Sequence, residues 1–309
     1  MFDEKIYDIL IVGGGPAGMT AALYGSRANK SVCIIEKGAF GGQITSSPRV
    51  ENWPGTVQMS GSDFGNQMAE QILAAGVDVE IETVIDIRNE GAYKVVVTED
   101  GGYHKGRAVI VATGVKHRRL CLPGEEQLIG NGVYFCAVCD GAYYKDKSVA
   151  IIGGGNSALQ EAVLLSEICS KVFVIQNLPE FTGEMKLREA VMGKPNVSVK
   201  FGTVVERYIT EGNKLCGLQL VESAYGVKSE ISCDGVFLAV GLKPENEVFA
   251  ELAELNDYGY FASGEDCLTR TPGFFVAGDC RSKNVRQLTT AVADGAVAAL
   301  AACSYIDGF

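Results

Sequence analysis

The sequence predicts an α/β protein of two Rossmann-like nucleotide-binding domains, the second inserted into the first, and three observations carry that expectation. A strand–glycine–helix pattern occurs twice, as Ile9-Leu-Ile-Val-Gly-Gly-Gly-Pro-Ala-Gly-Met-Thr20 and Val149-Ala-Ile-Ile-Gly-Gly-Gly-Asn-Ser-Ala-Leu-Gln160. Each copy is followed by another apolar run, residues 32–35 and 172–175, completing a βαβ unit whose strands are buried on both faces. Further apolar runs end in glycine at residues 108–115, 235–241 and 273–279, and the last leads into an Ala-rich helical pattern from Gln287 to Ala302. The first two read as crossings between domains, so residues 1–114 and 244–309 form one discontinuous domain and residues 115–243 the inserted one.

Composition agrees with this reading. The 309 residues suit two domains at roughly 150 each. With 47% hydrophobic and 21% charged residues, the chain can bury a sizeable core, which excludes long disorder. No uninterrupted apolar stretch approaches the roughly 18 residues of a membrane span, and the acidic start from Met1 to Lys5 has no export-signal pattern. A soluble, cytoplasmic protein is expected. Acidic residues outnumber basic ones, 38 to 27, and a net charge of −11 repels phosphate backbones, so nucleic acid is not an expected partner. Ten cysteines are too few for a disulfide scaffold and suit a reducing compartment. Cys33, Cys169, Cys216, Cys233 and Cys303 read as core residues, Cys121, Cys267 and Cys280 take no assignment, and Cys136 and Cys139 stand apart as a pair.

Gly13, Gly15 and Gly18 have the Gly-x-Gly-x-x-Gly spacing at a strand-to-helix junction, with Pro16 and Ala17 opening the helix. Backbone N–H groups and the helix N-terminus then face a pyrophosphate, and Glu36, at the end of the second strand, is placed to accept from a ribose hydroxyl pair. Cys136-x-x-Cys139 has the spacing of a redox dithiol. Zinc is the competing reading, but a closed site needs four ligands and there is neither a second Cys-x-x-Cys nor a histidine pair: His104 and His117 stand thirteen apart. No metal is expected.

Gly41-Gly-Gln43, Val50-Glu-Asn-Trp-Pro-Gly55, Ala112-Thr-Gly114, Cys136-Ala-Val-Cys-Asp-Gly141, and Ala277-Gly-Asp279 through Arg286-Gln-Leu288 resemble the low-molecular-weight thioredoxin reductases over nearly the whole chain. The resemblance implies FAD in the discontinuous domain, a homodimer, and thioredoxin as substrate. It implies that Gly42, Gln43 and Asn52 lie beside the flavin, that Asp279 and Gln287 hold the ribityl and pyrophosphate portion, and that Thr113, Gly114, Arg286 and Leu288 complete the cofactor set. In isolation Asp279 reads as a turn or helix-cap residue. The resemblance also makes Cys139 the flavin-proximal sulfur, Cys136 the interchange thiol, and Asp140 the acid for a departing thiolate; Asp140 reads equally as a turn residue before Gly141. A rotation between the domains, hinged near residues 113–115 and 241–244, would expose the pair to flavin and substrate in turn.

The second glycine motif, with Ala158 in the third position, would by itself predict a nicotinamide nucleotide site. The chain departs from the family after the next strand, where NADPH users carry a His-Arg-Arg segment and a further Arg. Here residues 176–184 read Gln-Asn-Leu-Pro-Glu-Phe-Thr-Gly-Glu, with no Arg or Lys between Lys171 and Lys186. Gln176 also stands where an NADH site needs an acid. The pattern is similar to the ferredoxin-dependent flavin thioredoxin reductases, which implies reduced ferredoxin as electron donor, with NADH or NADPH as the alternative. Lys116, Arg118 and Arg119, or Lys145 and Lys147, are candidate docking cations, or simply solvated loop charges. A flavin redox sensor without turnover is a third reading, opposed by the intact dithiol.

Overall fold

The computed structural model describes residues 5–308. Met1 to Glu4, part of the segment on which the absence of an export signal was read, lie outside the described residues, as does Phe309. The chain forms two compact units, residues 1–116 with 243–309 and residues 117–242.

The first unit begins with strand β1 (Ile6–Val12), helix α1 (Pro16–Arg27) and strand β2 (Val32–Glu36), the βαβ unit read from the first glycine motif. Helix α2 (Gly61–Ala74) and strands β3 (Asp78–Ile81), β4 (Val84–Glu90), β5 (Tyr93–Thr98) and β6 (Tyr103–Val111) follow. A two-residue strand, β7 (Lys116–His117), leads out of this unit.

The second unit holds strand β8 (Val133–Tyr134), the single helical turn α3 (Glu125–Leu128) before it, and the turn α4 (Ala137–Asp140) after it. Strand β9 (Ser148–Ile152), helix α5 (Asn156–Ile168) and strand β10 (Lys171–Ile175) are the second βαβ unit. Helix α6 (Met185–Met192) and strands β11 (Val197–Lys200), β12 (Thr203–Glu211), β13 (Lys214–Glu222), β14 (Lys228–Ser232) and β15 (Gly235–Leu238) complete it. Its parallel sheet runs β11-β10-β9-β15-β8, beside an antiparallel sheet β12-β13-β14. Alternate residues of each parallel strand divide between two cores. Val149, Ile151, Val172 and Val174 pack with Ala158, Leu159, Ala162 and Leu165 of α5, while Ala150, Ile152, Val236 and Leu238 pack with Leu218 and Leu220 of β13.

Strand β16 (Leu242–Lys243) returns the chain to the first unit, where strand β17 (Phe274–Val276) and helix α7 (Leu288–Asp307) finish it. The first unit's sheet runs β3-β2-β1-β6-β5-β4, and β17 pairs in parallel with the C-terminal half of β6. Ile9, Ile11, Ile34 and Ile110 face α1 and α7, while Leu10, Val12, Ile35 and Val109 face Phe249, Phe261 and Phe274. Gly13, at φ +110, makes the turn from β1 because a Cβ there would overlap the Ala112 carbonyl.

Helix α7 runs five residues past the Ala302 expected from the Ala-rich pattern: Ser304 to Asp307 remain helical until Gly308 ends it at φ +79. Its tail packs, with Tyr305 edge-on to Phe275. Among the described residues it is the one helix long and apolar enough to cross a membrane, yet Ala298, Ala299 and Ala302 are buried in the core shared with α1. Of the cysteines read as core, Cys33, Cys169, Cys233 and Cys303 are buried but Cys216 is only half-buried: on β13 it points to the face opposite Leu215 and its neighbours. Cys267 and Cys280 are also buried, and Cys121 is exposed.

Candidate active site

In the first unit, the residues read as cofactor-binding converge on the N-terminus of α1. Gly15 precedes the helix, no side chain caps it, and a Cβ on Gly15 would meet nothing within 4 Å. The first-turn amides therefore face open space. Pro16 and Ala17 open the helix, and Gly18 packs so closely that a Cβ would overlap the Gly13 carbonyl oxygen. The Glu36 carboxylate accepts from the Gly14 amide at 2.6 Å and the Gly38 amide at 2.9 Å, which fixes it at the strand end beside the glycine loop. Gly14 also accepts from the Gly41 amide (2.9 Å), drawing Gly42 and Gln43 alongside. Gln43 donates to the Val115 carbonyl. Asn52 donates to Gln287 at 3.2 Å, and the Gln287 side chain also caps α7 in a capping box with Thr290, just ahead of Leu288.

Asp279 lies on the turn between β17 and α7, and its Oδ1 is buried without a hydrogen-bond partner. Burial pushes its carboxyl above the usual range. An orphaned acceptor beside an uncapped glycine cradle fits a ligand carrying hydroxyls and a pyrophosphate, which is what FAD presents. Arg286 is committed differently: its guanidinium donates to the carbonyls of Asp279 (3.4 Å), Lys283 (2.9 Å) and Arg281 (3.3 Å) and stacks over Tyr260, so it shapes the loop that carries Asp279. Thr113 donates to Asn246 at 3.3 Å, next to Gly114 at φ +67. The sequence reading missed Asn246. It is fully buried and donates to the Gly259 and Cys280 carbonyls, tying the β6 exit to the Asp279 loop, and no spacing in the sequence marks it.

In the second unit, Cys136 and Cys139 form a disulfide with Cα atoms 5.3 Å apart. Cys136 is the N-cap of α4, and its sulfur accepts from the Cys139 amide at 3.2 Å. Between them Val138 is 62% exposed, so the ring lies at the surface of this unit. Asp140 points inward, is 5% exposed, and has an Oδ1 with no partner. Desolvation pushes its carboxyl up to about 7, so at neutral pH it holds a proton a substantial part of the time.

The second glycine loop is covered by its own neighbours. The Thr182 and Gly183 amides donate to the Gly154 carbonyl at 2.9 and 3.1 Å, and the Gln176 side chain packs onto Gly154 while donating to Glu180. Glu184 and Asn156 bond reciprocally at the start of α5, by Asn156 Nδ2 at 3.0 Å and the Glu184 amide at 2.7 Å. One cation missed by the sequence window comes back onto this loop: Arg188, one turn into α6, donates to the Gly183 carbonyl and lies 3.6 Å from Glu180. Both contacts use its guanidinium within the protein.

A family profile described as pyridine nucleotide-disulphide oxidoreductase matches residues 7–295. Thioredoxin reductase of Listeria monocytogenes is 39% identical over 305 residues, covering 99% of this chain and 95% of that protein. A protein of Clostridium pasteurianum described as a 34.2 kDa protein in a rubredoxin operon is 37% identical over the full length of both chains. The crystal structure of thioredoxin reductase from Streptococcus pyogenes superposes with a TM-score of 0.93 at 37% identity, covering 98% of this chain and 99% of that one. These relatives support the resemblance to low-molecular-weight thioredoxin reductases but not its narrowing to a ferredoxin-dependent branch. The chain belongs to the pyridine nucleotide-disulphide oxidoreductase family, as a flavoprotein disulfide reductase with FAD as its cofactor.

Proposed function

We propose that this protein reduces the disulfide of thioredoxin, and the observation that carries the reading is the surface Cys136–Cys139 disulfide with the buried, partly protonated Asp140 directly behind it. The Gly13–Gly18 cradle, Glu36, Asn52, Asp279 and Gln287 would hold FAD, which when bound would supply an electron pair. Cys139 is the sulfur that receives it, and Cys136 attacks the substrate disulfide. Asp140 protonates the thiolate that departs. Gly114 at φ +67 and Gly241 at φ +105 stand at the two chain crossings, and rotation about them presents the pair to cofactor and substrate in turn. The protein works as a homodimer in the cytoplasm, as its bacterial relatives' type suggests.

For the electron donor, the family and the named relatives support a pyridine nucleotide. A second reading, reduced ferredoxin, is favoured by one local observation: Gln176 packs on the glycine loop, and the Arg188 guanidinium brought there is already bonded to Gly183 and Glu180. Arg188 therefore offers no free guanidinium to a 2′-phosphate. The deciding experiment mixes the holoenzyme and oxidised thioredoxin anaerobically with NADPH, NADH or photoreduced ferredoxin and counts thioredoxin thiols. Thiols formed with any donor support the function and identify the donor; none with any of them overturns it.

A further inference from the structure

The chain re-enters the first unit through Lys243 to Asn246, and two neighbouring side chains there reach the segments carrying Glu36 and Asp279, the two carboxylates read as cofactor-binding. Glu245 accepts from Lys116 at 2.7 Å and from Lys37 at 3.4 Å, and Lys37 directly follows Glu36. Asn246 is fully enclosed. Its amide nitrogen donates to the Cys280 and Gly259 carbonyls, each at 2.9 Å, and Cys280 directly follows Asp279. Its amide oxygen accepts from Thr113, on the outgoing crossing, at 3.3 Å. Both donors of the amide are spent on carbonyls, which fixes the way it faces. The Asn246 backbone carbonyl in turn accepts from the Phe249 amide at 2.9 Å, and Phe249 packs on Phe261 in the core that also holds Cys280. The Glu245 bridges are solvent-exposed and contribute little, whereas the Asn246 bonds are buried, where an unpaired polar group is costly. Asn246 is thus the firm link between the return crossing and the Asp279 loop.

We propose that Asn246 is a positioning residue that couples the Asp279 loop to the return crossing, so that FAD binding orders residues 244–249 although none of them belongs to the cofactor set. This rests on the reading of the glycine cradle and Asp279 as the FAD site. An Asp279 loop held in place by bound cofactor fixes Cys280, the Cys280 carbonyl holds the Asn246 amide, and the amide holds the crossing. Such coupling is reciprocal: a crossing displaced at Asn246 withdraws its donor from Cys280 and weakens cofactor binding by the same factor. Since rotation of the inserted unit is placed at this crossing, the holoenzyme turns on a stiffer segment than the apoprotein does.

The test follows backbone hydrogen exchange by mass spectrometry in peptides covering residues 244–249 and 277–283, in apoprotein and in FAD-loaded protein. In wild type, FAD slows exchange in both peptides, by roughly fivefold or more at 244–249. Asn246→Asp keeps the shape of the side chain but sets an acceptor against the Cys280 and Gly259 carbonyls. At about pH 8 it weakens FAD binding, read by flavin fluorescence, roughly tenfold or more, and saturating FAD then protects 277–283 alone. At about pH 5 the introduced carboxyl, enclosed like the amide it replaces, takes a proton and recovers one donor, so affinity and protection at 244–249 partly return. A side chain that merely fills space gives no such rescue. Should the variant fail to fold, wild type alone decides: FAD protection at 277–283 without protection at 244–249 overturns the proposal. So does a variant that retains wild-type protection at 244–249, or a loss indifferent to pH. Wild-type protein that takes up no FAD would sink the cofactor site itself, and the coupling with it.

Discussion

Arg281 and Asp294 form a buried ion pair, Nε and Nη2 of the guanidinium reaching the two carboxylate oxygens at 2.7 and 2.8 Å with both side chains almost fully enclosed. Asp294 also accepts from Lys283 at 2.9 Å and from the Gly278 amide at 3.0 Å, so a residue of α7 anchors the loop that presents Asp279. Removing the carboxylate in Asp294→Ala leaves two enclosed cations without it, at a cost of roughly 3–5 kcal/mol. The sign with pH follows. Burial alone would raise the Asp294 carboxyl, but hydrogen bonds from Arg281 and Lys283 hold it below the usual range. Its contribution is present above the unfolded value of about 4 and is lost as pH falls through the lower folded one. Urea denaturation should show a large gap between wild type and variant at pH 7 that narrows in strong acid.

Two glycines of one motif should fail in different ways. A Cβ on Gly18 would overlap the Gly13 carbonyl, so Gly18→Ala separates α1 from β1 and destabilises the first unit by roughly 3 kcal/mol or more. Gly15 has ordinary extended backbone and open space around it, so Gly15→Ala should leave apoprotein melting within about 1 kcal/mol of wild type while weakening FAD binding at least roughly tenfold, because the methyl stands where the pyrophosphate approaches. Melting curves and flavin titration separate the two. Equal loss of stability in both would show that the cradle is a packing feature.

Much of this was legible because it depends on local repetition. The paired βαβ units, the glycine cradle and Cys136-x-x-Cys139 are contiguous patterns whose spacing states their geometry. Contacts made by residues far apart in sequence were not legible. Asn246 reaches Thr113 and Cys280 across long separations, and Arg188 lies beyond the window in which cations were sought. Nor was it legible that Arg286, a motif residue expected at the cofactor, places its guanidinium on three loop carbonyls.

The donor readings predict opposite responses to added charge. Asn177 and Leu178 are exposed just beyond β10, next to Gln176. Replacing both with Arg supplies guanidinium groups where a 2′-phosphate would lie, and charge-assisted bonds of roughly 1.5–3 kcal/mol each correspond to a tenfold or greater gain in NADPH affinity. NADH should gain little, and added salt should erase the difference. Calorimetric titration reads this directly. If wild type already binds NADPH as tightly as the double variant, the missing cations are irrelevant and the second donor reading falls.

The order of attack by the two sulfurs can be trapped. With Cys136 as interchange thiol, Cys139→Ser leaves a nucleophile that can join thioredoxin but no second thiol to release it, so a mixed disulfide accumulates. Cys136→Ser leaves only Cys139 and should capture far less. Exposure of Val138 means that both sulfurs lie near a surface, so the contrast must come from reactivity and orientation as well as access. At Cys136 the sulfur accepts from the Cys139 amide at 3.2 Å, a contact that holds it at the start of α4. Capture of thioredoxin by Cys136→Ser instead of Cys139→Ser would exchange the two roles.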